Sequence, residues 1–322
     1  MIADVPALIA LAAVVEEGTF EAAAHRLHVT PSAVSQRVKS LEQRMGQVLV
    51  VRAKPCRATD AGQVLVRLAG QWTLIEAEAE AARAVAGSAL TGAALPGGAG
   101  GTVRLPIVVN ADSLSTWFPP ALAAMPGHVR LEVRREDQDH SADLLRAGSV
   151  MAAVTTDPRP VQGCRVQSLG AMRYLAVAAP SLVERAFTQG VTREAFATAP
   201  LLAFTPKDAL QARFVRTVLG RDVSPAPHLV PSSSAFVDLV VRGMGWGMVP
   251  EAAALEELAA GRLVELVPGR HLDVPLHWQH WKLGSPTLDE LTDHVVAAAR
   301  NGLHLPLTRA DAEREQVRPT PF

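Results

Sequence analysis

A chain of 322 residues with 48% hydrophobic side chains exceeds one ordinary domain and supplies apolar material for two or three cores. Its formal net charge of −1 argues against a protein that coats nucleic acid over its whole surface. The charge is uneven, with seven Lys/Arg against two acids between Phe20 and Arg57, a local footprint suited to phosphates.

The first element, Val5 to Glu17, is predicted to be a helix with Leu8, Leu11 and Val15 inward and Gly18 as its stop. The N-terminal run lacks a basic leader region and a cleavage site and breaks into charge at Glu16-Glu17, so a soluble cytoplasmic helix is expected rather than a signal peptide. No stretch reaches the roughly twenty uninterrupted apolar residues that span a bilayer. Thr19 is expected to cap a second helix carrying Ala23, Ala24 and Leu27. After the turn Leu27-His28-Val29, Thr30 stands at an N-cap position and Pro31 at the first helical position, where a missing donor costs nothing. The third helix places Ala33 or Val34, Val38 and Leu41 on one stripe and leaves Ser32, Ser35, Gln36, Arg37 and Lys39 facing outward. Hydroxyl, amide and guanidinium groups on one exposed face suit base edges and phosphates, although an ordinary solvated helix face has the same composition.

Gly46 closes this helix, and QVLVVRAKPCRATDAG reads as two short strands around a Lys54-Pro55 turn. A basic hairpin after a recognition helix is a wing, with Arg52, Lys54 and Arg57 as its phosphate contacts. Thr59 or Asp60 is expected to cap a long helix reaching about Ala86. In it Leu65, Leu68, Trp72, Ile75, Ala79, Ala82 and Ala86 are spaced 3, 4, 3, 4, 3, 4, a heptad seam that pairs with a second copy unless it packs on its own domain. Two-fold pairing would set two recognition helices one DNA turn apart.

Gly87 to Thr102 is a flexible linker by composition. Beyond it, strand-like runs at Val103–Val109, Leu131–Arg134 and Met151–Thr155 alternate with helical ones through Trp117 and Leu122 and over Asp143–Ala147, which predicts a mostly parallel α/β lobe. A second α/β lobe holds the strands YLAVAA, LLAF and GMVP and the helix Ala235–Arg242; the chain then returns to the first lobe through Leu276–Trp281 and the helix Leu288–Arg300. The expected organisation is a winged helix-turn-helix over 1–60, a dimerisation helix over 61–88, a linker over 89–102, a two-lobed domain over 103–303 (lobe I about 103–162 and 269–303, lobe II about 163–268) and a disordered tail over 304–322. Cys56 and Cys164 have no second Cys or His at metal spacing, so unpaired thiols and no metal site are expected. The alternating His277, His280 and Trp281 read as sheet residues.

The residues Gly18-Thr19-Phe20, Ala23-Ala24, Leu27, the TPSAVS run at Thr30–Ser35, Leu41-Glu42, Gly46, Arg52, and Thr59 with Gly62 together resemble the LysR-type transcriptional regulators. Val50 and Thr19 depart from that pattern, where Phe and Ser are usual. The runs at Asn110–Phe118, Thr155–Cys164, Phe204–Gln211, Val230–Phe236 and Gly243–Glu251 resemble the lysine/arginine-responsive branch of that family, the ArgP/LysG-like regulators. The resemblance implies a periplasmic-binding-protein-like effector domain, a homodimer or tetramer, double-stranded DNA and RNA polymerase as partners, no cofactor, and L-lysine or L-arginine as effector. It implies DNA contacts from Thr30, Pro31, Ser32, Ser35, Gln36, Arg37, Lys39, Arg52 and Lys54.

For the effector, the resemblance points to the end of the first strand. There Ser113, Thr116 and backbone donors would hold an α-carboxylate, and Asp112 and Asp208 the amines. Thr155, Thr156, Phe204, Ser232 and Ser233 would form the wall. Asp112 with Ser113, and Asp208, would serve equally as helix caps. No P-loop, G-x-S-x-G or H-E-x-x-H supports an enzyme. The rival from another class is a nucleoid-associated or replication-origin-binding DNA protein with little effector dependence.

Overall fold

The computed structural model describes residues 4–91, 102–135, 138–223 and 225–305. Most of the expected linker (92–101) and of the expected tail (306–322) lies outside the described residues. Helix α1 (Val5–Glu17) starts where the Asp4 carboxylate accepts from Ala7 N and stops at Gly18, whose φ of 73° is left-handed. A Cβ on Gly18 would also come within 2.9 Å of Pro55 Cβ, so the helix stop and the wing approach share one glycine. Ala7, Leu8, Ala10, Leu11, Ala13 and Val14 are all buried, because α1 is the central helix of the N-terminal domain. Thr19 caps α2 (Phe20–Arg26), and Thr30 caps α3 (Pro31–Met45) by accepting from Ala33 N at 3.2 Å. The α3 stripe Val34, Val38 and Leu41 is closed to solvent, each side chain contributing about 1.5–3 kcal/mol.

Strands β1 (Val50–Val51) and β2 (Arg57–Ala58) form the antiparallel wing, and the Lys54-Pro55 peptide between them is cis. Thr59 Oγ1 then accepts from Gly62 N at the start of α4 (Asp60–Thr91). A Cβ at Gly62 would lie 2.0 Å from Leu49 O, so only glycine lets α4 cross the wing this closely. Helix α4 runs past the expected stop and takes in Gly87 to Thr91, because alanine-rich sequence on either side absorbs the roughly 1 kcal/mol that an interior glycine costs. Leu65 is turned away from the expected seam. With Val66 and Ala69 it is buried in the N-terminal core, whereas Leu68, Trp72 and Ile75 are 38%, 43% and 47% exposed and Ala79 is also exposed.

The chain divides into two compact units. The first comprises the described residues of Met1–Asn110, Leu122–Gln167 and Trp278–His294. In it β3 (Val103–Val109), entirely apolar at its buried positions, pairs in parallel with β4 (Val129–Arg135) and β5 (Ala152–Thr155), in register Val103↔Val129 and Ile107↔Ala152. Helices α5 (Ala111–Ser115) and α6 (Pro119–Ala123) follow β3, and α7 (Gln138–Arg146) packs on β5. The second unit comprises Ala111–Ala121, Ser168–His277 and the described residues from Val295 onward.

Strand β6 (Cys164–Ala178) enters the second unit and is followed by α8 (Pro180–Ala186), α9 (Arg193–Thr198), β7 (Leu202–Ala203), α10 (Leu210–Leu219) and β8 (His228–Leu229). Then come α11 (Ser233–Val241), β9 (Gly247–Pro250), α12 (Glu251–Ala259), β10 (Val264–Glu265), the returning β11 (His271–Trp281) and α13 (Pro286–Gly302). β6 is antiparallel to both β9, with Tyr174↔Pro250, and β10, with Val264↔Ala178, while β7 and β8 are parallel. The first lobe's β3, β4 and β5 are parallel, as the strand–helix alternation there predicts, whereas β6 in the second unit pairs antiparallel with β9 and β10. His304, assigned to the tail from sequence, bridges Ala171 in antiparallel fashion and hydrogen-bonds through its ring to the Glu251 carboxylate. No described helix is long and apolar enough to cross a membrane.

Candidate nucleic-acid interface and ligand site

The α3 face is built by its own caps. Thr30 fixes the helix start, the apolar stripe fixes its rotation, and Pro31, Ser32, Gln36 and Lys39 are left exposed with Ser35 and Arg37 half-exposed. Arg52 lies with its guanidinium carbon 5.0 Å from the Phe20 ring centroid, which holds the wing cation beside α2. Two other basic residues are spent within the domain: Arg26 pairs with Glu16 and Glu17, and Arg44 with Asp4 at 2.9 Å. Among the described residues Arg37, Lys39, Arg52, Lys54 and Arg57 form no ion pair with a carboxylate. The cations left over are thus those on the helix face and the wing, which is what a phosphate-binding surface requires.

In the second unit, Asp112 opens α5. Its Oδ2 accepts from Tyr174 Oη at 2.7 Å and its Oδ1 from Ser233 Oγ at 2.8 Å. Burial pushes the Asp112 carboxyl above its usual range; the Tyr174 and Ser233 hydrogen bonds pull it down, and the neighbouring Asp208 charge adds to the rise. Burial, with the Asp112 charge, also holds the Tyr174 phenol well above its ordinary value, so it stays a donor. Asp208 accepts from Phe204 N at 2.9 Å, Leu210 N at 3.1 Å and Gln211 Nε2 at 3.1 Å, a turn carboxylate that leads into α10. Neither Asp112 nor Asp208 has a cationic partner among the described residues. Two carboxylates near one another with only neutral donors form a site short of positive charge.

Of the expected effector residues, the second unit brings Asp112, Ser233 and Asp208 together. Ser113 sits beside them with its Oγ fully buried and without a hydrogen-bond partner among the described residues. Thr116 Oγ1 is taken up by a bond to Asp112 O at 2.6 Å. Ser232 caps α11 through Ala235 N, and Phe204 is half-buried beside Asp208. Thr155 and Thr156 belong to the first unit, where Thr155 is buried and its Oγ1 accepts from Asp157 N. Trp117 is buried edge-on to Phe118, a core residue. Tyr174, the chain's single tyrosine, is absent from the sequence-derived set. A lone tyrosine at the head of the apolar run Leu175–Ala179 was the available signal, since a buried phenol needs a partner. Cys56 and Cys164 are both buried and free, and burial pushes the Cys164 thiol up to about 12. Among the described residues no cluster of three His, Cys, Asp or Glu could hold a metal.

A capped recognition helix and basic wing, a long helix, and a two-lobed α/β domain with a charge-deficient site define a ligand-responsive DNA-binding regulator. The chain belongs to the LysR family. Residues 6–63 match the bacterial regulatory helix-turn-helix protein of the lysR family, and residues 96–300 match the LysR substrate binding domain. It is similar to the crystal structure of ArgP from Mycobacterium tuberculosis, with 52% identity and a TM-score of 0.80 over 94% of this chain and 98% of that one. It is also similar to full-length LysG from Corynebacterium glutamicum with bound effector Arg, at 40% identity and a TM-score of 0.72 over 94% of this chain and 100% of that one. The lysine export transcriptional regulatory protein LysG of Corynebacterium glutamicum is 42% identical over 299 residues, 91% of this chain and 97% of the relative.

Proposed function

We propose that this LysR-type regulator senses L-lysine or L-arginine and controls a promoter such as that of a basic amino-acid exporter. The single observation that supports this reading is the Asp112–Asp208 pair, half-buried and supplied with neutral donors alone. A cationic ligand group supplies the missing charge, and the buried Ser113 hydroxyl is a donor suited to the ligand's carboxylate. Relatives named for lysine export and a relative holding Arg support the same class of ligand. Ser32, Ser35, Gln36 and Arg37 read bases, with Thr30, Pro31, Lys39, Arg52 and Lys54 on phosphates. Leu68, Trp72, Ile75 and Ala79 pair α4 with a second copy in a cytoplasmic homodimer or tetramer. The ligand must bind the two lobe arrangements unequally, since equal binding shifts no equilibrium.

Calorimetry with L-lysine, L-arginine, L-histidine and L-leucine tests this. Saturable binding of a basic amino acid, with L-leucine at least about tenfold weaker, is expected from one charged contact. L-leucine binding as tightly as L-lysine sinks the assignment.

A further inference from the structure

Helix α4 has a third face that neither the N-terminal core nor the exposed seam uses. Arg67, Gly70, Leu74 and Glu78 follow one another at intervals of three, four and four, so they line one side of the helix over roughly 16 Å. Arg67, Gly70 and Glu78 meet the α/β part of the first unit. The Arg67 guanidinium carbon lies 5.8 Å from the Trp281 ring centroid, and its Nη1 donates to Arg146 O at 3.2 Å. Gly148 has a φ of 71°, and a Cβ there would meet Arg67 Cα at 2.5 Å; a Cβ on Gly70 would touch Gly148 O and Met151 at 3.1 Å. Two glycines thus permit a close approach of helix to lobe. Leu74 is buried.

At the far end, Glu78 Oε1 accepts from Ser285 Oγ at 2.6 Å and from Thr287 N at 3.0 Å. Ser285 Oγ in turn accepts from Leu288 N, so a carboxylate from α4 completes the N-terminal cap of α13. Ser285 and Thr287 are both buried, which makes this a desolvated, charge-assisted contact rather than a surface pair. Trp281 is fixed from behind by Nε1 donating to Val150 O and by Gly163 against its ring. Arg67 and Glu78 therefore hold the two ends of the connection from β11 to α13, the point where the chain has just returned from the second unit.

The geometry points to an intramolecular docking surface: the 67/70/74/78 face of α4 clasps the first α/β lobe so that lobe and DNA-binding domain move as one body. Effector-driven displacement of that lobe then passes directly into the helix that positions the winged helices. Its regulatory half rests on the effector reading above; the clasp itself does not.

The test uses full-length protein, Glu78→Ala and Glu78→Gln. Amide hydrogen exchange at Thr287 and Leu288 is expected to rise about tenfold in Glu78→Ala and to return close to wild type in Glu78→Gln, which keeps the acceptor oxygen. Unchanged exchange in Glu78→Ala overturns the clasp whatever the ligand does. For the coupling, L-arginine binding is followed by calorimetry, and footprinting of a DNA duplex selected in vitro follows the response. Glu78→Ala should bind L-arginine within about twofold of wild type and lose at least about fivefold of the L-arginine-induced footprint change, with recovery in Glu78→Gln. A full response in Glu78→Ala overturns the coupling. Absence of both L-arginine and L-lysine binding to the wild type overturns the effector reading and the coupling with it, and leaves the clasp to be decided by exchange; where L-lysine alone binds, the coupling is read with L-lysine by the same outcomes.

Discussion

Asp112 is a carboxylate held where the protein alone does not want a negative charge. Burial raises its pKa, and a raised acid pKa contributes stability that is present below the unfolded value and lost as pH rises through the folded one. Ionised Asp112 therefore costs stability at neutral pH, and a cationic ligand group beside it would offset that cost. Asp112→Asn is expected to raise the melting temperature of the free protein while weakening L-arginine binding by about 2–3 kcal/mol, on the order of 100-fold, by calorimetry. Unchanged affinity would remove Asp112 from the ligand. Tyr174→Phe deletes a hydrogen bond that lowers the Asp112 pKa, so the pH at which L-arginine affinity collapses on acidification should move upward, read from binding isotherms across pH. On the DNA side, Arg37→Ala should remove specific retardation, about 1–3 kcal/mol, with the dimer intact by sedimentation; retained specificity shows that the reading face lies elsewhere.

At the scale of elements, α4 divides its perimeter among three tasks. Leu65 serves the N-terminal core, Arg67 to Glu78 the α/β lobe, and Leu68 to Ala79 an exposed apolar stripe. The heptad spacing was legible in the sequence, but it assigned Leu65 to the stripe because a period does not say which neighbour a face meets. The two roles separate on mutation. Leu65→Ala should destabilise the folded protein by about 2–5 kcal/mol in urea unfolding without changing its mass in solution. Ile75→Asp should split the oligomer in sedimentation with little loss of monomer stability; an oligomer that survives Ile75→Asp excludes this stripe as the interface. The helices α1 to α3 were readable to the residue, since Thr19 and Thr30 cap, Pro31 starts and Gly18 and Gly46 stop by local chemistry alone.

For the molecule as a whole, the separation between a regulator and a nucleoid organiser lies in the DNA footprint. A paired set of winged helices with five unpaired cations each should protect a defined, dyad-related site and lose affinity with salt in proportion to those few phosphates, as footprinting across salt concentrations measures. Continuous protection of A·T-rich DNA would favour the organiser.

The sequence by itself determined the winged helix-turn-helix and the two-lobed α/β order, because caps, periodicities and motifs act over a few residues, and it nominated Asp112 and Asp208 as candidates for the ligand. Tertiary structure decided what separation in sequence conceals. It brought Tyr174 and Ser233 onto Asp112 across 62 and 121 residues, put Leu65 in the core, and turned Glu78 into the cap of a helix more than two hundred residues away. Each depends on burial and long-range pairing, and no local pattern encodes which distant group a buried donor or acceptor will find.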